Sequence, residues 1–145
     1  MTPFLEEAGW YAHREIDIEY MIRDLKQLGF QTPNQLIADF LREFGNLRIA
    51  FKTPDGLYAD ICINTDVGVQ YIDVEDLPIL EQLVGEPLLP VGSVQEDLAG
   101  LLISFSGKCY MLADGEIYKL GDSFEEACET VYFQRPMMKI FSIEN

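Results

Sequence analysis

Between residues 53 and 107 the sequence has no lysine and no arginine. The same stretch holds ten acids: Asp55, Asp60, Asp66, Asp73, Glu75, Asp76, Glu81, Glu86, Glu96 and Asp97. Two thirds of the chain's net charge of −15 therefore falls where no counter-ion is available from within. Gripping phosphates requires clustered basic side chains, so direct binding to DNA or RNA is excluded as an expectation. Crowded like charge destabilises a compact chain by self-repulsion. Two readings of the acids stay open: solvated faces that keep the protein soluble, or a docking face for a basic partner, since complementary fields speed encounter and select partners.

Other scarcities narrow the chemistry. There is one histidine, His13, and three cysteines, Cys62, Cys109 and Cys128, with no C-x-x-C pair. A zinc site would lack ligands, so no metal is expected, and the thiols read as reduced and buried. A cysteine nucleophile would have to borrow the same His13, which reads as a surface or helix-end residue. No phosphate loop, G-x-G-x-x-G, G-x-S-x-G or H-E-x-x-H occurs. Asp73-Val74-Glu75-Asp76 lacks the glycine and terminal glutamate of a calcium loop. Paired carboxylates are inevitable among 25 acids and carry no weight alone. No cofactor and no enzymatic activity are expected. Apolar runs are short, such as Leu101-Leu102-Ile103, against the ~18 residues of a membrane span. Met-Thr-Pro-Phe-Leu-Glu-Glu at the start has neither a basic nor an apolar leader region, so the expected location is the cytoplasm.

What is present suffices for a core. Hydrophobic residues make up 48% and aromatics 12% of 145 residues, the usual size of one domain, read here as 1–145. A short helical turn over 3–8 ends at Gly9. Ile18, Met21, Ile22, Leu25 and Leu28 fall at helical spacing, with Asp17 as N-cap and Gly29 as stop. Thr32 as cap, Pro33 and Gln35 predict a fresh helix whose stripe is Leu36, Ile37, Phe40, Leu41 and Phe44. Strands are predicted over 47–52 and 57–64 around the turn Thr53-Pro54-Asp55-Gly56, with another over 67–74. A short helix over 75–84 stops at Gly85. A loop carrying Glu86-Pro87 and Pro90-Val91-Gly92 follows. Then comes a meander over 101–105, 108–113 and 116–120, turned by Ser106-Gly107 and Asp114-Gly115. Ser123 with Glu126 predicts a capping box for a helix over 124–134, and the tail after Pro136 reads as a last strand. Runs of helices and of strands, rather than strict alternation, define an α+β fold with a mainly antiparallel sheet.

Trp10, the only tryptophan, reads as a core anchor between the first helices. Tyr58, Tyr71, Tyr110 and Tyr118 lie on or beside predicted strands, and alternation of faces must expose some of them.

Several segments occur together in a characteristic order. Ala8-Gly9-Trp10 is followed by Arg14. Leu28-Gly29-Phe30 precedes Phe40-Leu41-Arg42-Glu43-Phe44-Gly45-Asn46-Leu47, and Pro90-Val91-Gly92 leads into the meander and a helix with Ser123 and Ala127. Over roughly residues 5–133 this resembles the third subfamily of the SUKH superfamily of bacterial immunity proteins. Asn46 stands where that pattern often has a second glycine. The resemblance implies a curved sheet flanked by helices and a role as immunity partner of a polymorphic toxin, commonly one acting on nucleic acid, without catalytic residues. Gly9, Trp10, Arg14, Glu43, Phe44, Gly45, Pro90 and Gly92 read as fold determinants. Gly9 and Gly45 are expected to supply left-handed helix ends, and Arg14 is expected to pair with Glu43. The expected partner surface is the acidic, tyrosine-bearing face made by Asp55, Tyr58, Asp60, Asp66, Tyr71, Asp73, Glu75, Asp76, Glu96 and Asp97. The partner is expected to be a basic cognate toxin. A general interaction or regulatory module of the same fold is the alternative, and the sequence leaves the oligomeric state open.

Overall fold

The computed structural model describes residues 1–142. The elements run α1 (Thr2–Glu7), α2 (Glu19–Gln27), α3 (Gln35–Phe44), β1 (Arg48–Lys52), β2 (Tyr58–Ile63), α4 (Thr65–Gly68), α5 (Leu77–Val84), β3 (Leu88–Val94), β4 (Ala99–Ser104), β5 (Cys109–Ala113), β6 (Glu116–Gly121), α6 (Phe124–Phe133) and β7 (Met138–Ser142). The seven strands form one antiparallel sheet in sequence order, β1 to β7, so the architecture is α+β with an open meander. Short turns join β1 to β2 and β3 through β6, whereas α4 and α5 intervene between β2 and β3, and α6 between β6 and β7. Asp114 and Gly115 both have positive φ, 52° and 76°, as a primed hairpin turn requires.

Alternation sets the layers. Ile49 and Phe51 of β1 are buried while Arg48, Ala50 and Lys52 are exposed. Phe51 meets Phe4 of α1 with ring centroids 5.3 Å apart and lies 6.4 Å from Tyr132 of α6, so α1 and α6 cover that face. α6 touches β1, β2 and β6. A ten-residue helix is only ~15 Å long, while β1 and β6 would lie ~24 Å apart in a flat sheet, so the sheet curls. On the opposite face Tyr71 lies over Gly100, where a Cβ would come within 2.6 Å of the tyrosine's own Cβ. The core includes Ile37, Leu41, Ile49, Ile61, Leu80, Leu89 and Leu101, all fully buried. Each contributes ~1.5–3 kcal/mol relative to exposure.

Several local expectations need correcting. Residues 67–74 are not a strand. Asn64 caps a single helical turn at α4 by accepting from Asp66 N at 2.9 Å, and bends and turns follow. Residues 88–94 are not a loop but β3, buried at every position. Pro90 and Gly92 flank a register shift between β3 and β4, and a bulge is where a sheet tolerates proline. A Cβ on Gly92 would lie 1.8 Å from the Cys62 carbonyl oxygen, so only glycine lets the strands close there. Asn34, not Thr32, caps α3, its Oδ1 accepting from Ile37 N at 3.0 Å. Ile18, not Asp17, is the N-cap of α2; Asp17, two residues before the helix, accepts at Oδ1 from Glu19 N. Ser123 accepts from Glu126 N as expected of a cap.

Candidate functional site

The motif residues build a clasp between the 9–16 loop and the end of α3. Buried Arg14 donates from Nη1 to the Glu43 carbonyl at 2.5 Å and from Nη2 to the Gly45 carbonyl at 2.8 Å. It thus satisfies carbonyls that a helix end leaves without partners, where a cation is also favoured. The expected Arg14–Glu43 ion pair does not form. The Glu43 carboxylate instead accepts from Trp10 Nε1 at 2.9 Å. Trp10 is half-buried against the core, in keeping with an anchoring role. Gly9 has the left-handed backbone, with φ 110°. Gly45 does not, its φ being −55°; it is glycine because a Cβ would sit 2.4 Å from the Leu41 carbonyl oxygen. The left-handed residue is Asn46, φ 65°, which explains why asparagine substitutes there for glycine. Its side chain donates to Tyr20 Oη at 2.6 Å. Phe44 packs on Phe124 with centroids 4.7 Å apart, tying the clasp to α6.

A second polar cluster lies on the sheet face opposite α6, at the β3–β4 hairpin. Asp60 is 1% exposed. One of its oxygens accepts from Arg48 Nη1 at 2.7 Å and the other from Glu96 N at 2.7 Å. Arg48 Nη2 reaches Asp97 at 3.0 Å, Ser93 Oγ donates to Asp97, and Tyr71 Oη donates to the Asp97 carbonyl. Hydrogen bonding from Ser93, opposed by partial desolvation and reinforced by Arg48, holds the Asp97 carboxyl below its ordinary range. The hydrogen bond to Asp60 raises the Arg48 guanidinium, which stays charged. These contacts hold an unusual backbone. Gln95, Glu96 and Asp97 are consecutive non-glycine residues at φ 57°, 56° and 67°. Left-handed conformation costs ~1–2 kcal/mol per such residue, so the tip persists because its surroundings over-determine it.

The ten acids of the base-free stretch thus divide by role. Asp60 and Asp97 are held by Arg48. Glu81 accepts from Leu88 N at 2.9 Å, at the start of β3. Glu86 accepts from Ser106 N and Oγ at 2.8 and 2.7 Å. Burial opposes ionisation of Glu86, but the Ser106 hydrogen bonds outweigh it, and its carboxyl lies below the ordinary value. Asp55 accepts from Thr53 Oγ1 in the β1–β2 turn. Asp66, Asp73 and Glu75 are exposed and Asp76 half-buried, and none of the four makes an ion pair among the described residues. Tyr58 is 55% exposed, whereas Tyr71 is partly covered and bonded to the hairpin tip. The expected face therefore resolves into an α4–α5 group, Asp66, Asp73, Glu75 and Asp76, a hairpin-tip group, Tyr58, Glu96 and Asp97, and Asp55 in the β1–β2 turn. Tyr71 and buried Asp60 support the tip from beneath; Asp60 has no side-chain surface to offer a partner. Sequence reasoning missed Arg48, the cation beneath the acidic stretch, because it lies five residues before that stretch begins.

Burial pushes the Cys109 and Cys128 thiols up to about 12, far from a reactive thiolate. Among the described residues no three of His, Cys, Asp and Glu stand close enough to hold a metal ion. No helix among them is long and apolar enough to cross a membrane.

Fold and clasp together define a small α+β protein whose polar residues fix backbone and present surface. The chain belongs to the SUKH-3 immunity protein family, whose family model matches residues 1–132. Proteins of that family serve as immunity partners of toxins and are not in general enzymes. No curated protein and no solved structure matches the chain.

Proposed function

We propose that this protein binds and neutralises a cognate bacterial toxin in the cytoplasm, and that it does so through its acidic middle. The toxin is basic and of a nuclease type or otherwise directed at nucleic acid. Family membership supports the immunity role. The observation that carries the rest is the set of carboxylates Asp66, Asp73 and Glu75, exposed, and Asp76, half-buried, in a stretch with no lysine or arginine. Surfaces that grip phosphates are basic, and an acidic partner is attracted to them at long range and covers them on contact. The protein acts by occupancy and uses no catalytic residue, metal or cofactor.

The test is growth. Cells expressing the C-terminal domain encoded by the neighbouring upstream gene should stop growing alone and recover when this protein is co-expressed. A harmless neighbour, or killing that the protein does not relieve, would contradict the pairing and leave a general interaction module of this fold as the better reading.

A further inference from the structure

Beside the strained hairpin lies a cleft of ~510 Å³ between the sheet and the C-terminal half of α6. Val94 and Met111 come from the sheet, Val131 from α6, and Tyr58, Glu96 and Leu98 from the two neighbouring hairpins. Two of its apolar residues stand out in water, Leu98 at 79% and Tyr58 at 55% exposure. Exposed apolar surface gathered around a concavity marks an interaction site, and aromatic anchors in such pockets dominate binding energy.

Charge decides what the cleft takes. Glu96 makes no ion pair among the described residues. The one cation lining the cleft among the described residues, Arg135, is answered by Glu129 at 3.2 Å and lies over the Phe133 ring. Arg48 supplies one charge against the two carboxylates of Asp60 and Asp97. The hairpin tip is thus left negative beside an apolar hollow. Nucleic acid and anionic lipid surfaces would be repelled, and so would a second copy of a chain whose net charge is −15. The hairpin is also fixed in advance, with Asp60 holding Glu96 N and with Arg48, Ser93 and Tyr71 holding Asp97. Little ordering remains to be lost on binding.

We propose that this cleft is the anchor pocket for a loop of a basic protein partner. The loop seats one aliphatic or aromatic side chain between Tyr58 and Leu98, while an adjacent lysine or arginine reaches Glu96. The inference rests on the toxin-binding reading above and names the part of the protein that would carry most of the affinity.

The experiment is titration calorimetry of the neighbouring gene's C-terminal domain, made as a catalytically inactive variant, with wild type, Leu98→Ser, Tyr58→Ala and, as a surface control, Leu36→Gln. Thermal melts run alongside. Leu98→Ser and Tyr58→Ala should each raise Kd by about thirtyfold or more. Their melts should stay close to wild type, since both side chains are largely exposed. Leu36→Gln should bind as wild type. Glu96→Gln should weaken binding only at low salt. Wild-type Kd in both cleft variants would overturn the cleft while leaving the immunity reading intact. No binding by the wild type would overturn both. A self-associated wild type that Leu98→Ser turns into monomer would make a second copy the occupant, and the proposal would be wrong.

Discussion

The acids bound to Arg48, Asp60 on β2 and Asp97 in the β3–β4 hairpin, and those of the α4–α5 segment come from one base-free stretch, yet they do opposite things. At the hairpin, Asp60 and Asp97 converge on Arg48, and Asp60 also fixes the backbone of Glu96. In α4 and the segment that leads to α5, Asp66, Asp73, Glu75 and Asp76 meet no cation among the described residues. The first group costs the fold if removed. The second costs the fold something by staying, through mutual repulsion. Net charge alone does not separate them; burial and partner do.

The comparison can be broken most severely at Arg48. Arg48→Met leaves Asp60 buried without its cation, and a loss of about 3 kcal/mol is expected by urea denaturation. Asp60→Asn keeps an oxygen for Glu96 N but loses the charge, and about 2 kcal/mol is expected from the same measurement. A smaller effect sits on Asp97 and depends on pH. Its carboxyl is held low in the folded state. Its contribution is therefore complete above the unfolded value of about 4 and is lost as pH falls through the folded one. Stability between pH 6 and pH 3 should fall less steeply in Ser93→Ala than in wild type, because the hydroxyl that lowers Asp97 is gone. An unchanged slope would mean that Ser93 does not set this titration. The smallest stability effect belongs to the α4–α5 acids. Reversing Asp73, Glu75 and Asp76 to lysine should move stability by no more than about 0.5 kcal/mol per site, and towards greater stability where repulsion is relieved. A large loss there would mean these carboxylates are structural after all.

Much of the fold was legible in the sequence because its signals are local. The stripes of α2 and α3, the Asp114-Gly115 turn and the Ser123 cap each depend on residues within a few positions. Some failures are local, such as the cap of α3 placed on Thr32 rather than Asn34, but the larger ones are tertiary. β3 is buried along its whole length, so it shows no alternation, and Pro90 and Gly92 read as loop residues until the bulge that uses them is seen. The stretch 67–74 has strand-like composition, but Asn64 starts a helical turn and Gly68 packs onto β3, where a Cβ would lie 2.6 Å from Gly92 N. Gly45 was expected to be left-handed, and that conformation falls one residue later, on Asn46. For the candidate site, the excess of acid was plain from composition. The division between spent and unspent carboxylates was not, because it turns on Arg48 reaching across from β1 to the β3–β4 hairpin, 49 residues on at Asp97.

The central claim is that the unspent acids steer a basic toxin onto this protein. The measurement that tests it most directly is the association rate constant with the neighbouring gene's C-terminal domain across ionic strength, for wild type and for the Asp73→Lys, Glu75→Lys, Asp76→Lys variant. The account predicts fast wild-type association that slows as salt rises, and a variant that associates more slowly at low salt and approaches wild type at high salt. Equal rates for the two proteins at low salt would contradict it.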